Sequence, residues 1–260
     1  MTGWVVLGAT AALMILVREL NWLFIAVVGI DEVLFLSSIR RSTAPNSAPF
    51  YELSRRFPGY LLFALTTVLL VLPQFYVYDT LHGSFGPTPF VVQKFSLIPR
   101  YAFDVLFSGF HGLFSWHPIT MLSMAGLVFL WSRSPKVMLI FSVVFLLQVL
   151  VIGSYETWWG GASFGARRFL NFTASFAVGL SVLVDGLRPA PKRVLQTCMV
   201  LLVLWNFGLA VQYSIGLIPR DQPVRMSEIV YNQVFEVPPR VAQLAWRFAF
   251  DRSSFYRTRS

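Results

Sequence analysis

Apolar runs at 4–17, 22–36, 60–77, 119–131, 137–153, 169–184 and 194–213 fix what this chain can fold into. In hydrocarbon no water satisfies the backbone, so a spanning segment must close its own hydrogen bonds, and runs of this length do so as helices. A straight span needs about 20 residues. Several runs are shorter, so flanking aromatics or tilt must complete them. Charged residues make up 13% of the chain, against about a quarter in a soluble domain. The expectation is an all-α integral membrane protein, a polytopic bundle of about six transmembrane helices with interfacial amphipathic helices on the outer side. Residues 1–213 would form the bundle and 214–260 an outer-side tail.

The net charge of +9 belongs to the loops. Arg40, Arg41, Arg55 and Arg56 fall in 38–58, Arg133 and Lys136 in the turn after 131, and Arg188, Lys192 and Arg193 in 188–193. The positive-inside rule makes these three cytoplasmic and leaves 78–117, 154–168 and the tail outside. Basic loops against anionic head groups account for the charge, so membrane lipids are the expected partners and nucleic acid is not. The single cysteine, Cys198, lies inside an apolar run, which excludes a disulfide framework and a thiolate metal site.

Local patterns refine this picture. In "WSRSPKV" (131–137), Ser134 suits an N-cap and Pro135 the first helical position, so 119–131 and 137–153 read as an antiparallel pair. "RELN" (18–21) separates the first two runs, which form either one interrupted helix or two short ones. On the one-helix reading Arg18 and Glu19 sit near mid-membrane, at a cost of at least ~2.5 kcal/mol unless paired. Residues 97–116 and 238–257 predict helices lying in the interface, the second with Val241, Leu244 and Phe248 on one face and Arg240 and Arg247 free to snorkel.

"ETWWGGASFGARRF" (156–169) is the candidate site. Trp158 and Trp159 fit an aromatic belt, but Gly160, Gly161 and Gly165 allow backbone angles that bring main-chain N–H groups against a ligand. Arg167 and Arg168 open the next span, where a helix dipole favours an anion and two guanidiniums match phosphate oxygens. Contact with lipid head groups is the alternative use of the same pair. Lys94 and Arg100 are further candidates for an anion. His111 and His117 are six residues apart, on different helical faces and without a carboxylate or cysteine nearby, so they line a cleft and no metal is expected.

"LVRELNWLF" (16–24), "LPQFYVYDTLHGSF" (72–85), "LFSGFHGLFSWHPI" (106–119) and "WWGGASFGARRF" (158–169) occur in this order. Together they resemble the C-terminal half of bacterial GT-C membrane glycosyltransferases of the protein O-mannosyltransferase and aminoarabinose transferase type, over roughly residues 4 to 185. The resemblance implies a multi-pass enzyme of the bacterial cytoplasmic membrane that takes a sugar from a polyprenyl-phosphate carrier, with no cofactor. It implies that Arg167, Arg168, Lys94 and Arg100 hold the carrier phosphate. Trp158, Trp159, Gly160, Gly161 and His111 would meet the sugar or lipid chain. The family's catalytic carboxylates lie in a first outer loop without a counterpart here. The expectation is therefore a carrier-binding half that needs a missing N-terminal half, or a non-catalytic accessory subunit of a larger membrane complex.

Overall fold

The computed structural model describes residues 1–41, 48–220 and 222–255. In chain order the helices are α1 (Thr2–Val17), α2 (Ile25–Arg41), α3 (Ala48–His82), α4 (Pro89–Gln93), α5 (Ala102–Phe107), α6 (Leu113–Trp116), α7 (Ile119–Phe129), α8 (Pro135–Gly153), α9 (Thr173–Asp185), α10 (Pro189–Ser214), α11 (Met226–Tyr231) and α12 (Val237–Phe250). Among the described residues, five segments are long and apolar enough to cross a membrane: Glu19–Arg40, Phe50–His82, Pro135–Gly153, Arg167–Asp185 and Pro189–Ser214. Thr2–Val17 and Ile119–Ser132 are shorter apolar helices. The chain is an all-α, multi-pass membrane protein. Its contacts divide it into two units, Met1–Pro99 with Leu130–Glu156, and Arg100–Phe129 with Thr157–Ser260.

In the first unit "RELN" proves to be the tip of a helical hairpin. Arg18 takes an extended backbone (φ −160°, ψ 123°), which ends α1, and a 3₁₀ turn over Glu19–Phe24 leads into α2. The buried Asn21 amide donates to the Met14 carbonyl at 2.7 Å, which also accepts the Arg18 N–H at 3.1 Å, and so ties the turn back to α1. Trp4 packs edge-on against Tyr60, and the Tyr60 hydroxyl donates to Glu32 at 2.8 Å. Residues 4 and 32 thus meet α3 at one level, whereas a continuous helix would hold them roughly 42 Å apart. Glu19 accepts a hydrogen bond from Tyr78, which lies roughly 27 Å further along α3 by helical rise. Arg18 and Glu19 therefore sit at one end of the hairpin and not at mid-membrane.

Several charges in this unit are paired. Arg56 donates to Glu32 at 2.8 Å and stacks over Phe35 at 3.8 Å, and Lys136 meets Asp31 at 2.5 Å. Much of the basic stretch 38–58 is helical, because α2 continues to Arg41 and α3 begins at Ala48. Pro135 opens α8 with Ser134 at the N-cap position, but the serine hydroxyl makes no capping bond. Residues 94–96 run against 154–156: Ser96 N–H donates to the Ser154 carbonyl at 2.8 Å and Glu156 N–H to the Lys94 carbonyl at 3.0 Å.

The second unit is built on glycine contacts. α7 packs mainly on α9, with Gly126 against the Gly179 carbonyl and Gly179 against the Ser123 carbonyl. A Cβ at either glycine would overlap the facing backbone, which is the close approach that small residues permit between membrane helices. On α10, Gly208 leaves the space taken by the Gln233 amide, which donates to the Trp205 carbonyl at 3.3 Å. The fully buried Gln212 donates to Gln233 at 2.7 Å and to the Ile229 carbonyl at 3.2 Å. Residues 226–250 are thereby docked on α10.

Both interfacial helices expected from the sequence need qualification. The first is broken: 97–116 contains only the short α5 and α6, separated by Ser108 with extended ψ (144°) and by a turn. Gly112 causes the tightness, since a Cβ there would fall 2.5 Å from the Ser108 backbone. The second is α12 with a short turn after it, Val241 and Leu244 half-buried and Phe248 exposed beneath Arg252. Tyr256 and Arg257 lie outside the described residues.

Candidate functional site

Residues 108–117 and 157–168, far apart in the chain, meet in the second unit. Phe110 lies 5.1 Å from the Trp159 ring and 6.4 Å from Trp158, and the two tryptophans stand edge to face. Trp116 and His117 both pack edge-on against Phe164. Trp116 is almost fully buried, and its Nε1–H donates to the Gly109 carbonyl at 3.0 Å. With Leu209, Ile218, Val224 and Ile229 it forms the core beneath the two loops.

The glycines do what their positions require. Gly160, Gly161 and Gly165 have φ of 82°, 78° and 60°, the left-handed region that costs an L-residue about 1–2 kcal/mol. At Gly165 a second constraint applies, because a Cβ would overlap Nε2 of His117. That nitrogen accepts the Ala166 N–H at 3.3 Å, while Nδ1 lies 2.9 Å from the Asn206 amide. Asn206 also donates to the Trp116 carbonyl at 2.7 Å and ties α10 to the loop. Burial, opposed by the Asn206 contact, holds the His117 pKa below the ordinary histidine value. A neutral imidazole has one acceptor nitrogen, so the ring accepts from only one of these two N–H groups at a time.

Arg167 and Arg168 hold the loop closed. Arg167 Nη2 donates to the Gly160 carbonyl, and Arg168 Nη2 to the Thr157 carbonyl at 3.1 Å. Arg167 is exposed and Arg168 half-buried. The expected helix dipole is not at this position. The pair begins a 3₁₀ turn, Arg167–Phe172, and the α-helix starts only at Thr173. A dipole effect fades within the first turn, so the local field here comes from the guanidiniums and the loop's own peptides.

His111 is the most unusual residue of the cluster. It is the only non-glycine with positive φ (64°) among the described residues. Its ring stacks on Trp116 at 4.6 Å, is 2% exposed, and leaves both nitrogens without a hydrogen-bond partner. Burial pushes its pKa down to about 4, with Arg167 and His117 adding to the shift and the Arg220 carbonyl opposing it. That carbonyl faces the ring without reaching hydrogen-bond geometry. An unpaired buried polar group costs about 1–3 kcal/mol and the backbone strain a similar amount.

The sequence candidates therefore divide. Trp158, Trp159, Gly160, Gly161, Arg167, Arg168 and His111 all belong to the second unit and to the two loops that meet there. Arg100 is exposed at the start of that unit, ahead of α5. Lys94 belongs to the first unit, half-buried at the end of α4, where its carbonyl serves Glu156. Sequence reasoning missed Asn206, Phe110, Trp116 and Phe164. Asn206 carried a readable signal, a polar side chain inside an apolar run.

Fold and loop cluster together define a multi-pass helical membrane protein with an aromatic, arginine-flanked loop site. No family model, curated protein or solved structure matches the chain.

Proposed function

We propose that this chain is the carrier-binding half of a GT-C-type glycosyltransferase of the bacterial cytoplasmic membrane. It would hold the phosphate end of a polyprenyl-phosphate sugar at residues 157–168. The carrying observation is that two of the four family-like motifs, 106–119 and 158–169, fold into one cluster of aromatic rings, left-handed glycines and two arginines. The other two motifs touch through Glu19 and Tyr78. In this reading the arginines set the loop and present cationic charge to a phosphate at its rim, where charge-assisted bonds are strongest. The aromatic rings provide apolar faces for the ligand beside it.

Binding of farnesyl phosphate to the full chain in lipid nanodiscs, compared with farnesol, tests this. Arg167→Gln with Arg168→Gln should weaken the phosphate at least about tenfold and leave farnesol alone, since one charge-assisted bond contributes about 1.5–3 kcal/mol. Equal affinity for phosphate and alcohol in the unaltered chain would end the proposal. The rival reading is a non-catalytic accessory subunit of a larger membrane complex. It draws on the fact that both guanidiniums already serve loop carbonyls.

A further inference from the structure

The carrier resemblance sets His111 beside the sugar or lipid chain but does not account for its geometry. Its φ of 64°, its burial, and two ring nitrogens without partners are independent liabilities concentrated in one side chain. Buried polar atoms are nearly always satisfied, so an exception at a strained residue calls for a role. The surroundings restrict what that role can be. The ring stacks on Trp116, and Phe110 is 5.0 Å away with Trp159 beyond it. The cover comes from residues 215–220 and 222–225, between α10 and α11. There the Arg220 carbonyl faces the ring, and the Val224 carbonyl lies 2.7 Å from where a Cβ on Gly109 would fall.

We propose that His111 is the hydroxyl-recognition residue of a closed carbohydrate site, with Arg220 and Val224 of the α10–α11 connection as its cover. This rests on the carrier reading and adds the sugar's contact to it. The chemistry selects the ligand class. Arg167 nearby and the apolar walls keep the imidazole neutral, so it offers one N–H donor and one lone pair. A hydroxyl has the complementary pair, whereas a phosphate has only acceptors and meets a lone pair on one side. The Trp116 face is taken by the His111 ring itself, and the neighbouring Phe110 and Trp159 rings are the aromatic surfaces that suit the C–H face of a pyranose. A bound sugar hydroxyl would satisfy ring nitrogens that the closed protein leaves unpaired.

The test uses the full chain in nanodiscs made without glycoside detergent. Its three histidines are labelled with ¹⁵N, and His111 is assigned from His111→Asn, a residue that tolerates the left-handed backbone. The probes are farnesyl-phosphate glucose, mannose and galactose against farnesyl phosphate. At least one sugar-bearing probe should bind about tenfold more tightly than farnesyl phosphate and shift the His111 ring nitrogens, and His111→Asn should abolish that preference. If both probes bind equally, or the variant weakens both by the same factor, His111 is structural and the inference is overturned while carrier binding stands. If neither probe binds, the carrier reading falls. Methyl glucoside, mannoside and galactoside at high concentration then decide His111 alone, and unmoved ring nitrogens overturn the inference as well.

Discussion

Gly161 and Gly165 share a left-handed backbone but answer different questions. A Cβ on Gly161 would meet nothing within 4 Å, so Gly161→Ala should cost only the backbone term, about 1 kcal/mol. Gly165→Ala adds an overlap with His117 and should cost about 3 kcal/mol, read as a lower unfolding midpoint in nanodiscs. Equal losses would mean that His117 does not pack there. The histidines also predict a pH effect. His111 has a pKa of about 4 in the folded protein against 6.5 unfolded, so the unfolded chain binds the extra proton between those values. Stability is then full above pH 6.5 and falls as the pH drops toward 4, by on the order of 3 kcal/mol. The midpoint should decline over that window and decline much less in His111→Asn; parallel curves would refute the assignment. At this scale the glycines, tryptophans and arginines were legible in the sequence, because each has a local signature. The Asn206 contact was not, since only the folded chain brings α10 to His117.

At the scale of elements, hydropathy located the helices but not their partners. Runs 4–17 and 22–36 are equally compatible with one helix or two. What decides is Tyr60, which touches Trp4 and bonds Glu32. Within the second unit it is the glycines of α7 that pack on α9. Without a hydrophobic force between helices in lipid, small residues that admit close backbones choose the partner. Gly126→Ala places a methyl group inside the Gly179 carbonyl and should prevent the native α7–α9 crossing, with a loss of several kcal/mol. Gly29→Ala meets open space in the same kind of helix and should be neutral or slightly stabilising. Parallel melts in nanodiscs check the pair, and similar midpoints for the two variants would show that the crossing is not tight.

For the whole molecule the open quantity is orientation, and the arginines of the tail make it a real test. Seven of them follow residue 214, and a simple charge count would draw that segment to the cytoplasm. The structure supplies a competing constraint: Gln212 and Gln233 bond residues 226–250 to the second half of α10, so the segment must emerge on the side where α10 ends. By the positive-inside rule the basic connection before α10 is expected inside and the end of α10 outside. Single cysteines in a Cys198→Ser background can read this. Ala162→Cys and Gln222→Cys, both exposed, should react with a membrane-impermeant maleimide in intact spheroplasts, while Ser132→Cys should react only after permeabilisation. Labelling of 132 and protection of 162 would invert the topology and place the arginine loop in the cytoplasm, where a carrier facing outward could not reach it. Protection of 222 alone would mean that charge had overridden the Gln212–Gln233 contact, and that the α10–α11 connection is not a cover for His111 in the membrane.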